Sequence, residues 1–253
     1  MRILFWNVQR LGGGTGELRS AILEGVIASA FYDDNAEAAV LCEVTSGTTL
    51  SNATIDKQIT VAKRTTKGSK AQLGYAAIES DLSTMEMEQV LVSDYSDVFG
   101  TPVPKKGGNM FDKQSKRFVA FAGTVGGTNL YVYHANASAR APFLVAWVAE
   151  DLRQQDGGNF VLVGDLNCDP AAVVNALTSQ GANPAHFHVR NGGNTHNAKK
   201  GVSKIYDYAI CGVANNNLAV TVKNIRPHLP VNQLTNLPDD SLSSDHLPIL
   251  VDF

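Results

Sequence analysis

Near the C-terminus, Ser243-Ser244-Asp245-His246-Leu247-Pro248 sets a carboxylate next to an imidazole at the start of the apolar run 247–253, which reads as a short final strand. Such a pair offers a metal ligand beside a group that exchanges protons near neutral pH. Alone, Ser-Asp-His is more simply a surface turn with a capping aspartate. The pattern recurs, however. Ile3-Leu4-Phe5-Trp6 leads to Asn7, Ala39-Val40-Leu41-Cys42 to Glu43, and Leu130-Tyr131-Val132-Tyr133 to His134. Phe160-Val161-Leu162-Val163-Gly164 leads to Asp165 and Asn167, and Asp207 interrupts the apolar stretch 205–210. Strands buried on both faces look like these runs, and ligands gather where such strands end. A buried carboxylate or imidazole is costly unless paired or metal-bound. One such residue reads as a satisfied core group, whereas recurrence at corresponding strand ends points to a shared polar site.

The elements that must position these residues follow from periodicity. Residues 18–31 and 141–154 have helical apolar spacing, and Pro170 opens a further helical stretch through 177, at a position where proline is tolerated. Strands are expected at 2–8, 38–44, 59–63, 73–79, 84–92, 117–125, 128–135, 159–165, 205–211, 219–226 and 247–253, with Gly126-Gly127 closing a hairpin. This is an α/β chain. No Pro/Gly/Ser-rich linker divides its 253 residues, so 1–253 reads as a single domain, and 44% hydrophobic residues support a substantial core. No stretch approaches the roughly 18 apolar residues of a membrane helix, and no membrane partner is expected. The first strand begins almost at Met1, so the chain as written is expected in the cytoplasm, or secreted if a leader was removed before this numbering. Cys42, Cys168 and Cys211 have no metal-binding spacing and read as packing groups.

Charge adds a clue about the substrate. Net charge is only −3, yet 14 of the 21 basic residues fall in windows 57–70, 105–117 and 190–204, which contain a single acid, Asp112. Solvated loops explain such stretches as readily as a phosphate track does, but segregated Lys and Arg are what a polyphosphate backbone requires.

Asn7, Glu43, His134, the Gly-Asp-Leu-Asn of residues 164–167, Asp207 and Ser244-Asp245-His246 resemble, in kind and in order, the motif set of the endonuclease/exonuclease/phosphatase superfamily. The resemblance runs from residue 7 to residue 246. It implies a four-layered α/β sandwich, with two mixed β-sheets packed face to face and helices outside. It also implies a metal-dependent phosphodiesterase using Mg²⁺, with Mn²⁺ or Ca²⁺ as alternatives. Glu43 and Asp245 would be metal ligands with Asn7 beside them. Asp165 would orient or deprotonate water, Asn167 would hold a phosphoryl oxygen, and His246 would pair with Asp207. His134 would contact the scissile phosphate and assist the leaving group. Arg117 stands where nuclease branches carry a phosphate-binding arginine, although a surface ion pair explains it equally well.

Within the superfamily, His134-Ala135-Asn136-Ala137, the stretch from Gly164 to Pro170, and Asp207-Tyr208-Ala209-Ile210-Cys211-Gly212 are similar to the B subunit of the cytolethal distending toxins, a deoxyribonuclease I-like branch. The implied function is a deoxyribonuclease I-like endonuclease acting on DNA, with a monomer favoured. A phosphatase or phosphodiesterase for phosphoinositides or other small phosphorylated ligands is the first alternative, and a catalytically silent binding module the second. His186, His188 and His228 lie outside the motifs. His196 falls in the basic loop before Asp207, where substrate contact is the less favoured reading.

Overall fold

A computed structural model describes residues 1–11, 17–44, 62–64, 74–79, 85–102, 119–198, 202–223 and 246–253. Asp245, Arg117 and most of the three basic windows lie outside the described residues, as do the expected strand segments 59–61 and 224–226.

One six-stranded sheet has the order β13-β14-β1-β2-β4-β3. Its strands are β1 (Arg2–Leu11), β2 (Ala38–Val44), β3 (Ala62–Arg64), β4 (Gly74–Glu79), β13 (Ala219–Val222) and β14 (Ile249–Asp252). The second six-stranded sheet has the order β5-β6-β7-β8-β12-β9. It comprises β5 (Met85–Val90), β6 (Val119–Val125), β7 (Thr128–Tyr133), β8 (Phe160–Asp165), β9 (Phe187–Arg190) and β12 (Asp207–Gly212). A separate hairpin joins β10 (His196–Ala198) to β11 (Val202–Lys204). Both large sheets are mixed, because β1–β2 and β7–β8 are parallel while the other neighbours are antiparallel.

Parallel neighbours need a crossover, and here each crossover is a helix laid on an outer face. α1 (Glu17–Tyr32) follows β1, and its Val26, Ile27, Ala30 and Phe31 pack on Leu4, Trp6, Ala39 and Leu41. α3 (Ala141–Asp156) follows β7 and, with α4 (Pro170–Ser179), covers Tyr131, Tyr133, Phe160, Leu162, Tyr208 and Ile210. The opposite strand faces meet in the middle. Ile3, Phe5, Val40 and Ile249 of one sheet pack against Val132, Val161, Val163 and Ala209 of the other. Helix, sheet, sheet and helix are the four expected layers.

Turn chemistry agrees with the expected hairpin. Gly126 and Gly127 have φ of 56° and 82° between β6 and β7, a backbone that only glycine adopts freely. The structure adds elements that periodicity did not show: β9, β10, β11 and the short helix α2 (Tyr95–Phe99). They span only three to five residues, too few for a period to register. Among the described residues, no helix is long and apolar enough to cross a membrane.

Candidate active site

Strand alternation places most of the site. On β1, Ile3 and Phe5 face the opposite sheet, so Asn7, two residues on, continues the same face. Leu130 and Val132 precede His134 in the same way, Val161 and Val163 precede Asp165, and Asp207 precedes Ala209 and Cys211. Each polar residue therefore extends an apolar inter-sheet face to its open end. Asn7, His134, Asp165, Asp207 and His246 are all at most 5% exposed.

Glu43 breaks the alternation. Strict period 2 would turn it with Leu41 toward α1, but Glu43 sits at the register shift between β2 and β4 with φ 60°. A left-handed backbone costs a non-glycine residue about 1–2 kcal/mol. Here the bulge re-aims the side chain, and Glu43 Oε1 lies 3.5 Å from His134 Nε2. Asn167 is left-handed too, with φ 50°. Its amide donates to the Ala135 carbonyl at 3.0 Å, and its backbone N–H donates to Asp165 Oδ1 at 3.2 Å. An amide carries two N–H donors, so the bond to Ala135 leaves the second able to meet another acceptor.

Asp165 is the centre of the cluster. Its Oδ2 accepts from Asn7 Nδ2 at 2.8 Å and lies 3.3 Å from His134 Nε2 and 3.6 Å from His246 Nε2. Gly164 brings these strands together: a Cβ there would stand 1.8 Å from the Tyr133 carbonyl oxygen. Burial alone would raise the Asp165 carboxyl, but His134, His246 and Asn7 hold it well below the ordinary range. Behind His246, Asp207 Oδ2 contacts Nδ1 at 2.7 Å. Burial pushes Asp207 up, against the opposing pull of His246. Two neighbouring carboxyls driven in opposite directions are a common sign of divided catalytic roles.

The donor set fits a hard divalent cation, since carboxylate and amide oxygens dominate it. Asp165, Asp207 and His246 each present one ligand atom within 4.8 Å of the others, a spacing one ion can bridge. Asp207 Oδ2 is engaged by His246 while its buried Oδ1 has no hydrogen-bond partner among the described residues, and Glu43 likewise has no partner at 2.7–3.0 Å among them.

The structure thus brings together Asn7, Glu43, His134, Asp165, Asn167, Asp207 and His246. It adds residues the motif reading missed. Trp6 donates its indole N–H to the His246 carbonyl at 2.9 Å. His196 packs its ring edge-on against His246, with centroids 4.8 Å apart, and forms a backbone bridge with it. Tyr206 stands beside His196 at 5.1 Å, with the exposed Lys204 ammonium over its ring. His196 therefore packs directly against the cluster through His246. Only its place in the basic window hinted at this.

No family model matches the chain, and neither does any curated protein. Solved structures do, along nearly its whole length. Haemophilus ducreyi cytolethal distending toxin superposes with a TM-score of 0.61 at 16% identity, covering 99% of this chain and 96% of the toxin chain. TDP2 of D. rerio, complexed with single-strand DNA product, gives 0.62 at 13% identity, with 99% and 97% covered. The endonuclease domain of TRAS1, a telomere-specific non-LTR retrotransposon, gives 0.56 at 14%, with 100% and 97% covered. The chain has the deoxyribonuclease I-like endonuclease/exonuclease/phosphatase fold. In this fold the open end of the inter-sheet layer is where the cluster around Asp165 lies, and the toxin is among its structural neighbours, as the local motifs implied.

Proposed function

We propose that this protein is a divalent-metal-dependent phosphodiesterase that cuts DNA as an endonuclease. The observation that carries the reading is the contact set of Asp165: an amide from Asn7 and two imidazoles, one of them backed by Asp207. Asp165 is ionised and buried, suited to orient a water for attack on phosphorus or to take its proton. Asp207 fixes the His246 tautomer and favours its charged form, so that Nε2 can meet a phosphoryl oxygen. His134, which also lies against Asp165, would contact the phosphate and pass a proton to the leaving oxygen. Asn167 holds a second phosphoryl oxygen through its remaining N–H. Glu43 and Asp245, with Asn7 beside them, would hold the cation. Mg²⁺ is the first choice and Mn²⁺ or Ca²⁺ alternatives, and it would neutralise charge developing on the phosphoryl and leaving oxygens.

DNA is supported as substrate by the basic windows and by the neighbours, one bound to single-strand DNA product and one an endonuclease domain. Arg117, in the second window, would add a phosphate contact. The test is incubation of the purified protein with supercoiled plasmid, RNA and phosphoinositides, with Mg²⁺ or EDTA. Metal-dependent nicking of plasmid is the expected result. Selective release of phosphate from phosphoinositides would replace this reading with the phosphatase, and inactivity on all three substrates would replace it with a binding module.

A further inference from the structure

The two members of the dyad come from different sheets. Asp207 opens β12 of one, and His246 lies on the approach to β14 of the other, so their 2.7 Å contact depends on how the sheets are joined at this end. The segment 191–195 makes that join. It leaves β9 and passes against β13 at Gly192, where a Cβ would lie 2.4 Å from the Val222 backbone nitrogen. It then delivers Thr195, 1% exposed, between the two strands.

Thr195 bonds to backbone on both sides. Its Oγ1 accepts from the N–H of Tyr206 at 3.2 Å and of Asp207 at 3.0 Å. Its carbonyl accepts from the N–H of Leu247 at 2.7 Å, and its own N–H donates to the Lys204 carbonyl at 3.0 Å. The Asp207 N–H belongs to the residue whose carboxylate holds His246, and Leu247 directly follows His246. One side chain and one carbonyl of a single residue therefore fix the spacing of the pair.

We infer that Thr195 is a positioning residue that clasps Asp207 to His246 across the junction of the two sheets. The chemistry divides the clasp cleanly. The carbonyl bond to Leu247 survives any side-chain change, whereas the bonds to Tyr206 and Asp207 need the hydroxyl oxygen. Thr195→Val keeps the shape and removes that acceptor from two backbone N–H groups, so the Asp207 side of the clasp slackens alone. Thr195→Ser keeps the acceptor.

The activity test rests on the function proposed above, so a second readout is independent of turnover. With supercoiled plasmid and Mg²⁺, Thr195→Val lowers kcat roughly 10- to 100-fold while KM stays within about twofold, because misplacement of a catalytic group by even 1 Å has effects of that size. Thr195→Ser stays within about threefold of the wild type. In a His246→Ala background, Thr195→Val changes kcat by less than about twofold, since a residue acting through another loses its effect with it. In parallel, the low-field NMR resonance of the His246 Nδ1 proton is retained in the wild type and Thr195→Ser and lost in Thr195→Val. If Thr195→Val does not fold, Thr195→Cys, whose sulfur is a weak acceptor, takes its place in each comparison. A retained resonance in Thr195→Val or Thr195→Cys, equal damage from serine and valine, or full additivity with His246→Ala would overturn the clasp. A wild type that cuts nothing yet follows the predicted resonance pattern would refute the nuclease and leave the clasp standing.

Discussion

Asp207→Asn should lower turnover while leaving the fold as stable as before, or more so. Asp207 is 0% exposed, and its Oδ2 meets His246 Nδ1 at 2.7 Å. A hydrogen bond to an ionised partner contributes about 1.5–3 kcal/mol against about 0.5–1.5 for a neutral one, so asparagine weakens its hold on the imidazolium by about 1–2 kcal/mol. That alone is about 5- to 30-fold. The amide can also turn its NH₂ toward Nδ1 and reverse the tautomer, and in the serine-protease triad the same exchange lowers kcat about 10⁴-fold. The tautomer effect is the larger, so a loss of about 10²- to 10⁴-fold is expected. Stability moves the other way. Burial raises the folded-state carboxyl of Asp207. Such a group contributes stability that is complete below its ordinary pKa of about 3.9 and lost as pH rises through the folded value. Near neutral pH the cost of burying the carboxylate, which asparagine lacks, offsets the stronger hydrogen bond that the carboxylate makes. Plasmid nicking with Mg²⁺ and thermal melts at neutral and acid pH measure both quantities. A kcat within threefold of the wild type, or a neutral-pH melting temperature several degrees lower, would refute the reasoning.

Other perturbations test the supports of the site. Gly164→Ala forces a Cβ against the Tyr133 carbonyl, a backbone neighbour that cannot step aside; a loss of about 1–3 kcal/mol or more is expected in denaturant melts, together with loss of nicking, and a wild-type midpoint would show that the β7–β8 approach is looser. Trp6→Phe leaves the buried His246 carbonyl without its indole donor. Its expected cost is about 1–3 kcal/mol, with a fall in kcat and little change in KM; unchanged kcat would mean that β1 does not help to hold His246. Lys204→Gln removes the exposed cation beside Tyr206. The slope of log affinity against log salt for DNA should shrink by about 1, and an unaltered slope would turn this hairpin away from the phosphate path.

The sheets and the gathering of the candidate residues were legible in the sequence for one reason. Runs such as Phe160-Val161-Leu162-Val163 are apolar on both faces, so the polar residue that follows is conspicuous, and alternation then fixes the face it takes. Glu43 was visible as a candidate, but its left-handed bulge was not, because no glycine announces it. Thr195 and His196 were harder still. Their importance comes from contacts of Thr195 to Asp207 and Leu247 and of His196 to His246, 12 to 52 residues away along the chain, and they lie in or just before a strand of three residues, too short to carry a period. The sequence places His196 in a basic loop, and only the fold brings its ring against His246.

The most direct test is the rate of plasmid nicking by the wild type, His134→Ala and His246→Ala, each with Mg²⁺ and with EDTA, alongside thermal melts. Wild-type nicking should vanish in EDTA and return with Mg²⁺, and each alanine variant should be slower by about 10²-fold or more with a native melt, the loss expected of a missing acid–base and phosphate contact. Nicking that persists in EDTA, or that survives both histidine replacements, would contradict a metal-dependent phosphodiesterase centred on Asp165.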